Sequence, residues 1–139
     1  INLLPKVMMK QRAARSDCYE AIFMDEDGNV WEGTSTNLFV VDGGTLYTTD
    51  HDERVLPGIT RREIVDIAAS EGIGVEMATV TVADLHSADE AFLTGTLTDV
   101  LGVTRVDGDV VADGDVGPMT RTLFDRLRER MSEEVGAGA

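Results

Sequence analysis

Two stretches of the sequence decide how the chain is expected to fold, and the first runs Trp31-Glu32-Gly33-Thr34-Ser35-Thr36-Asn37-Leu38-Phe39. This stretch predicts the end of one strand, a tight loop of small hydroxylated residues, and the start of the next strand. Side chains alternate along a strand, so Val30 and Glu32 share a face and Glu32 is expected to point inward. The strand therefore carries a carboxylate to the edge of a tight loop.

The second stretch runs Leu56-Pro57-Gly58-Ile59-Thr60-Arg61 and predicts the start of a helix. Thr60 and Glu63 have the spacing of a capping box, and Gly58 allows unusual backbone angles. The apolar residues that follow recur at helical period, and they are Ile64, Ile67 and Ala68. Because the N–H groups at a helix start lack partners, this turn can accept an anion.

Alternation, apolar periodicity and turn residues predict the elements around these stretches. The predicted strands are 18–25, 30–32, 38–41, 45–47, 75–82, 91–93, 103–106 and 109–111. The predicted helices are 2–15, 60–72, 83–87 and a last one opened by Gly117-Pro118, with Leu123, Phe124, Leu127 and Met131 inward. Hairpin turns are expected at 25–29, 42–44 and 107–108, an exposed loop at 48–55 and a frayed tail at 135–139. This mixture predicts an α+β fold.

The chain has 139 residues, 42% of them hydrophobic, and a formal net charge of −14. This length fits one domain with a real core. The acidic surface would repel phosphate backbones, so nucleic-acid binding is disfavoured, and no membrane span or signal peptide is visible. Such a surface fits adaptation to high salt or, more plainly, an acidic mesophilic protein. The single cysteine, Cys18, is consistent with a cytoplasmic protein, and His51 and His86 lack metal-ligand spacing, so no metal is expected.

Three motifs make the chain similar to a known family. They are Glu32-Gly33 followed by Asn37-Leu38-Phe39, then residues 56–61, and then Ala88-Asp89-Glu90-Ala91-Phe92-Leu93-Thr94-Gly95-Thr96. In order and separation they resemble the fold-type IV pyridoxal-phosphate enzymes: branched-chain aminotransferases, D-amino acid aminotransferases and aminodeoxychorismate lyases. The resemblance implies a barrel-like α+β larger C-terminal domain, pyridoxal 5'-phosphate as cofactor, amino transfer between an amino acid and a 2-oxo acid, and a homodimer or larger homo-oligomer.

The resemblance also implies which residues bind the cofactor. Glu32 would face the pyridine nitrogen and keep it protonated. The phosphate would be bound by the N–H groups of Ile59 and Thr60, and by Gly95 and Thr96 from the opposite loop. The remaining implied residues are Leu56 on one ring face, Gly58 at the helix start, and Ser35 and Thr36 in a loop near the cofactor. Taken alone, Glu32 fits a turn glutamate, and Thr60 with Glu63 fits an ordinary capping box. Gly95 likewise fits an ordinary bend, Leu56 a core leucine, and Ser35 and Thr36 turn formers.

The Schiff-base lysine of the family would fall three positions before Asn2, upstream of Ile1. Lys6 and Lys10 lie on the wrong side of the motif and are expected to be surface lysines of the first helix. Either would be a poor substitute, since a shift of one ångström can cost about a hundredfold in rate. We therefore expect residues 1–139 to be a C-terminal cofactor-binding domain, a fragment without the small N-terminal domain and inactive by itself.

The substrate class stays open between branched-chain and D-amino acids. Asn2-Leu3-Leu4-Pro5 and residues 18–22 resemble the D-amino acid enzymes, whereas residues 56–61 and 93–96 resemble the branched-chain enzymes. Residues 98–103 lack the proline that relatives usually have there, and Thr36 stands where many branched-chain enzymes have glutamate. Two alternatives remain: an aminodeoxychorismate lyase, and a non-catalytic domain of the same fold that acts as an oligomeric partner.

Overall fold

The computed structural model describes residues 22–33, 36–49, 59–95 and 99–138, which form a mixed α/β structure. The strands are β1 (Ile22–Met24), β2 (Asn29–Gly33), β3 (Asn37–Asp42), β4 (Thr45–Thr48), β5 (Val75–Met77), β6 (Val80–Thr81), β7 (Glu90–Gly95), β8 (Asp99–Gly102), β9 (Arg105–Val106) and β10 (Asp109–Val110). The helices are α1 (Ile59–Ser70), α2 (Val82–Ser87) and α3 (Pro118–Gly138). The predicted helix 2–15 and the first part of the predicted strand 18–25 lie outside the described residues.

Strand β3 is the centre of the main sheet. One edge of β3 pairs antiparallel with β7, and its other edge pairs with β4 and, at Asn37, with β2. Strand β8 extends the sheet beyond β7, β5 lies parallel to β4, and β1 and β6 join through β2. Across the described ranges the strands form no closed sheet. The predicted mixture of helices and strands is confirmed, and the barrel-like shape stays a prediction.

Both faces of the main sheet are buried, which explains why four consecutive apolar residues of β3, Leu38 to Val41, are all inaccessible. On one face the rings of Phe39 and Phe92 stack at 5.0 Å between centroids and pack against α1 and α3. On the other face, Leu38 and Val40 pack with residues of β2, β6 and α2. The chain therefore covers the sheet with two helices on one side and with a smaller layer on the other.

The predicted helix end and two predicted hairpins are confirmed. After α1, the Ile73 N–H donates to the Ala68 carbonyl oxygen at 2.9 Å, and Gly72 has a positive φ of 74°. A glycine with positive φ just after the last turn is a common way for an α-helix to end. Gly43-Gly44 joins β3 to β4 and Asp107-Gly108 joins β9 to β10, in each case with two consecutive positive φ values.

The predicted exposed loop at 48–55 is wrong at its start. Thr48 belongs to β4, and the exposed fractions of Thr48 and Thr49 are only 2% and 5%. Their hydroxyls donate to the carbonyl oxygens of Leu38 and Val30, at 2.9 Å and 3.0 Å, so these polar residues satisfy their hydrogen bonds inside the core. Residues 50–55 lie outside the described residues.

Other differences follow from capping and from long-range pairing. The predicted strand 75–82 is divided into β5 and β6, and it ends where Thr81 caps α2 in a reciprocal pair with Asp84. Strand β8 has no counterpart in the prediction, because it forms by pairing with β7. Met131, predicted to face inward, is 42% exposed, and residues 135–138 continue α3 instead of fraying.

Helix α3 is capped from a distant strand. Glu90, the first residue of β7, accepts hydrogen bonds from the N–H groups of Met119 and Thr120 at 3.1 Å and 2.8 Å, and from the Thr120 hydroxyl at 2.9 Å. Gly117, which precedes the helix, has no side chain that could do this. The neighbouring Asp89 is exposed and binds the Gly43 N–H instead. The two adjacent carboxylates therefore lie in different surroundings, Asp89 exposed and Glu90 buried.

Asp25 organises the turn between β1 and β2. Its carboxylate accepts hydrogen bonds from the N–H groups of Asp27 and Asn29 at 2.9 Å, from the Asn29 amide at 3.0 Å and from the Trp31 indole at 3.3 Å. These bonds, the Asn29 N–H foremost, lower the pKa of the Asp25 carboxyl from its ordinary value of 3.8. The ionised Asp25 carboxylate thus stabilises the turn.

We expect the β1–β2 turn to loosen in acid. A lowered folded-state pKa means that the stabilising effect of Asp25 is complete above its unfolded pKa and is lost as the pH falls through the folded pKa. Trp31 is the only tryptophan, so its indole N–H gives one resonance to follow by NMR. Its titration midpoint should lie below 3.8, and Asp25→Asn should abolish the transition. A midpoint at or above that value contradicts the assignment.

Candidate functional site

Three strands place Glu32, Asn37 and Thr94 in one row. In the backbone register Glu32 of β2 lies opposite Asn37 of β3, and Asn37 lies opposite Thr94 of β7. Neighbouring strands are about 4.8 Å apart, so the backbones of Glu32 and Thr94 are roughly 10 Å apart. Gly95, the last residue of β7, adjoins this row.

The first turn of α1 lies at the same end of the sheet. Arg61, only 8% exposed, donates from Nη2 to the Thr49 carbonyl oxygen at 2.9 Å, just beyond the end of β4. After the other end of α1, the Gly74 carbonyl oxygen accepts from the Leu46 N–H near the start of β4. Helix α1 therefore runs antiparallel to β4. Because β4 is also antiparallel to β3, α1 begins at the end where β3 starts with Asn37.

The structure brings part of the predicted site together. The Glu32 backbone, Gly95 and the first two residues of α1, Ile59 and Thr60, share this end of the sheet. Thr36, just before β3, is buried with 5% of its surface exposed. The other predicted positions lie outside the described part of the structure: the Glu32 side chain, Ser35, Leu56, Gly58 and Thr96.

The predicted capping box at the start of α1 is wrong. The helix begins at Ile59, so Thr60 is its second residue and not its cap. The Glu63 carboxylate accepts a hydrogen bond from Arg130 of α3 at 3.1 Å. The first N–H groups of an α-helix have no partner within the helix, and they carry the positive end of its dipole. The first turn of α1 can therefore still bind an anion.

Thr94 is a polar residue of the core that the sequence motifs did not single out. Its side chain is fully buried, yet its hydroxyl oxygen has no hydrogen-bond partner in the described part of the chain. The signal was available, because Phe92 and Thr94 share a face of β7 and a polar residue thus stands where the core continues. Among the described residues its hydroxyl thus has no partner, and it lies beside Gly95 at the end of the sheet where α1 begins.

A second surface feature, between α1 and α3, is explained by ion pairs. Arg126 contacts Glu71 at 2.8 Å and Glu129 at 3.1 Å, and Arg130 contacts Glu63, around a cavity of about 170 Å³. The hydrogen bond to Glu71, together with the charge of Glu129, raises the pKa of Arg126. Exposed pairs of this kind contribute little to stability, because water and salt screen them. The pairs with Glu71 and Glu63 link α3 to α1 and to the residue that follows it, the pair with Glu129 lies within α3, and none of them points to a ligand.

Within the part of the chain that the structure describes, no group of three or more histidine, cysteine, aspartate or glutamate side chains is placed to hold a metal ion. None of the helices in these ranges is both long enough and apolar enough to cross a membrane.

Comparison with known proteins identifies the family. Residues 1–106 match the family described as amino-transferase class IV, and the chain belongs to it. The chain is 37% identical over 134 residues to a D-alanine aminotransferase of Bacillus licheniformis, covering 96% of this chain and 47% of the relative. It is 36% identical over 129 residues to a putative branched-chain-amino-acid aminotransferase of Methanocaldococcus jannaschii, covering 93% and 45%.

A solved structure supports the same assignment. The branched-chain aminotransferase of the archaeon Thermoproteus uzoniensis, solved with norvaline, superimposes with a TM-score of 0.85 at 32% identity, over 91% of this chain and 41% of that one. Other similar structures are branched-chain aminotransferases solved with pyridoxamine 5'-phosphate and with N-(5'-phosphopyridoxyl)-L-glutamate. In each case this chain spans less than half of the relative's length.

Proposed function

We propose that this chain is the cofactor-binding part of a pyridoxal-phosphate-dependent enzyme that transfers an amino group between an amino acid and a 2-oxo acid. The observation that supports it most is the meeting of Glu32, Gly95 and the first turn of α1 at one end of the sheet, in a chain of the class IV aminotransferase family. Relatives named for branched-chain and D-amino acids make both substrate classes candidates.

Each proposed residue has a simple task. The Glu32 carboxylate accepts a hydrogen bond from the ring nitrogen and keeps its proton in place. The N–H groups of Ile59 and Thr60 bind the phosphate from one side, and Gly95 and Thr96 bind it from the other. When bound, pyridoxal phosphate supplies the electron-withdrawing ring that makes amino transfer possible. The remaining proposed contacts are Leu56 and Gly58 beside the ring and phosphate, and Ser35 and Thr36 in the loop after β2.

The energetics require several elements to act together. A charge at a helix end typically gains about 0.3–1 kcal/mol, whereas micromolar binding needs about 8 kcal/mol. The first turn of α1 alone therefore cannot hold the cofactor. Glu32 and the loop that follows Gly95 must contribute at the same time, which requires them to lie at the same end of the sheet.

The complete protein is proposed to contain more than these 139 residues. Since the chain spans less than half of its relatives, we assign the catalytic lysine and a small N-terminal domain to residues upstream of Ile1, and expect residues 1–139 alone to be inactive. The larger domain is proposed to close into a barrel-like shape, and the protein to be a cytoplasmic homodimer or larger homo-oligomer. These proposals follow the family's organisation.

An assay of the complete protein tests this function. With pyridoxal 5'-phosphate present, we expect 2-oxo acid formation from leucine or D-alanine, dependent on an added 2-oxo acid acceptor. Release of pyruvate from aminodeoxychorismate, without transfer from either amino acid, would replace the proposal with the lyase alternative. Absence of both reactions, in protein that remains folded and binds the cofactor, would favour a non-catalytic partner domain.

A further inference from the structure

Arg61 is the one buried basic residue among those that the structure describes, and it lies in the first turn of α1. The next residue, Arg62, is exposed, as arginines on a helix surface usually are. A buried guanidinium needs hydrogen-bond partners, because removing its charge from water is costly. Its planar group of N–H donors is rigid, so those partners restrict where the first turn of α1 can lie.

One partner of Arg61 lies where two strands meet along the same edge of β3. Strand β2 pairs with this edge at Asn37, and β4 pairs with it from Phe39 onwards. Thr49 directly follows β4, and its hydroxyl donates to the Val30 carbonyl oxygen of β2 at 3.0 Å. Thr49 thus joins the end of β4 to β2.

Two hydrogen bonds that pass through Thr49 therefore connect α1 to β2. Arg61 donates from Nη2 to the Thr49 carbonyl oxygen at 2.9 Å. The same nitrogen donates to Sδ of Met77, at the end of β5, at 3.2 Å. Arg61 and Thr49 are both buried, so water competes little for these bonds. The connection should hold the first turn of α1 at a fixed distance from β2.

This distance matters for the proposed site. Glu32 stands two residues beyond Val30 on β2. Ile59 and Thr60 directly precede Arg61 in α1. The ring nitrogen and the phosphate belong to one small molecule, so both proposed contacts form only if the two elements are correctly spaced. A displacement of one ångström can cost an enzyme about a hundredfold in rate.

We propose that Arg61 and Thr49 are positioning residues, which set the distance between the first turn of α1 and the strand that carries Glu32. Neither side chain is assigned a contact with the cofactor. The inference rests on the proposed function and adds the residues that prepare the site in the free protein. A site prepared in this way does not have to be ordered when the ligand binds, which favours affinity.

Arg61→Met in the complete protein tests the inference, because it removes the side-chain hydrogen bonds and keeps a long apolar stem. The dissociation constant for pyridoxal 5'-phosphate should rise about tenfold or more, the equivalent of one lost contact with a charged group. Affinity for pyridoxal, which lacks the phosphate and uses only one end of the site, should not change. Arg61→Lys, which keeps a cationic donor, should recover part of the lost affinity.

A second measurement uses the ligand-free protein. The N–H groups of Ile64 and Val65 form the early hydrogen bonds of α1, and their exchange with solvent deuterium should be about tenfold faster in Arg61→Met. Arg62→Met makes the same chemical change on the exposed side of the same turn. It should alter neither amide exchange nor cofactor affinity.

Thr49→Val and Thr48→Val form a matched pair. Each removes one buried hydroxyl that donates to a carbonyl oxygen, Val30 for Thr49 and Leu38 for Thr48. Both should lower the melting temperature by a similar amount, but only Thr49→Val should weaken binding of pyridoxal 5'-phosphate. Added to Arg61→Met, Thr49→Val should cause little further loss of affinity, because both substitutions break the same connection.

The inference fails, while the proposed function stands, if Arg61→Met binds pyridoxal 5'-phosphate as tightly as the unchanged protein does. It also fails if affinity for pyridoxal falls equally, or if Thr48→Val weakens binding as much as Thr49→Val, since either result indicates a general loss of structure. If the unchanged protein binds no pyridoxal 5'-phosphate, the proposed function itself is wrong.

Discussion

Replacing Glu90 with alanine is expected to destabilise the protein by about 2–4 kcal/mol, a large share of the roughly 5–15 kcal/mol that holds a domain folded. The change leaves the Met119 N–H, the Thr120 N–H and the Thr120 hydroxyl without their acceptor at the buried start of α3. It also removes a negative charge from the positive end of the helix dipole. The midpoint of urea unfolding measures the loss.

Asp89→Ala is the control for this prediction. Asp89 is the adjacent carboxylate, but it is exposed, and within the described ranges it accepts one hydrogen bond, from the Gly43 N–H at 2.9 Å, so its removal should cost about 1 kcal/mol or less. If Asp89→Ala and Glu90→Ala lowered the urea midpoint equally, Glu90 would not have the capping role assigned to it.

Gly117 provides an independent check of the same contact. A Cβ atom at Gly117 would overlap the Glu90 side chain, so Gly117→Ala should drive the carboxylate away from α3 and destabilise the protein. In a Glu90→Ala background the overlap is gone. The two substitutions should therefore be non-additive, with the double variant more stable than the sum of the single losses predicts. Simple additivity would contradict the assigned contact.

Replacing Glu32 with glutamine in the complete protein is expected to lower kcat for amino transfer by roughly 10²–10³-fold, the usual effect of removing one electrostatic contribution from an active site. A neutral amide cannot hold the proton on the cofactor's ring nitrogen as a carboxylate does. Cofactor affinity should fall much less, because the phosphate contacts proposed for α1 and for Gly95 and Thr96 would remain.

The control for Glu32 lies on the same hairpin. Glu26 is exposed in the turn between β1 and β2, so Glu26→Gln makes the same chemical change away from the sheet end. It should leave kcat unchanged. If Glu32→Gln retained nearly full kcat, or if both substitutions had equal effects, the role of Glu32 in the reaction would be wrong.

Features set by neighbouring residues could be predicted from the sequence. The turns at Gly43-Gly44 and Asp107-Gly108 need positive φ values, which glycine and aspartate supply, and both hairpins formed where predicted. The end of α1 at Gly72 follows from the same local preference. The continuous apolar run in β3 likewise marked a strand.

Features set by distant partners could not be predicted. Strand β8 exists because β7 pairs with it, and Thr48 and Thr49 are buried because carbonyl groups of other strands accept their hydroxyls. The capping of α3 by Glu90 joins residues about thirty positions apart, with no signal in either segment alone. The candidate site shows the same division. Local motifs predicted Glu32 and Gly95 as site residues, whereas long-range strand pairing and the hydrogen bonds of Arg61 and Gly74 place their backbones at the end of the sheet where α1 begins.

The most direct measurement is a crystal structure of the complete protein with pyridoxal 5'-phosphate. The account predicts the phosphate within hydrogen-bonding distance of the Ile59 and Thr60 N–H groups, and the ring nitrogen against the Glu32 carboxylate. A phosphate bound away from the first turn of α1, or a Glu32 carboxylate turned into solvent, would contradict it.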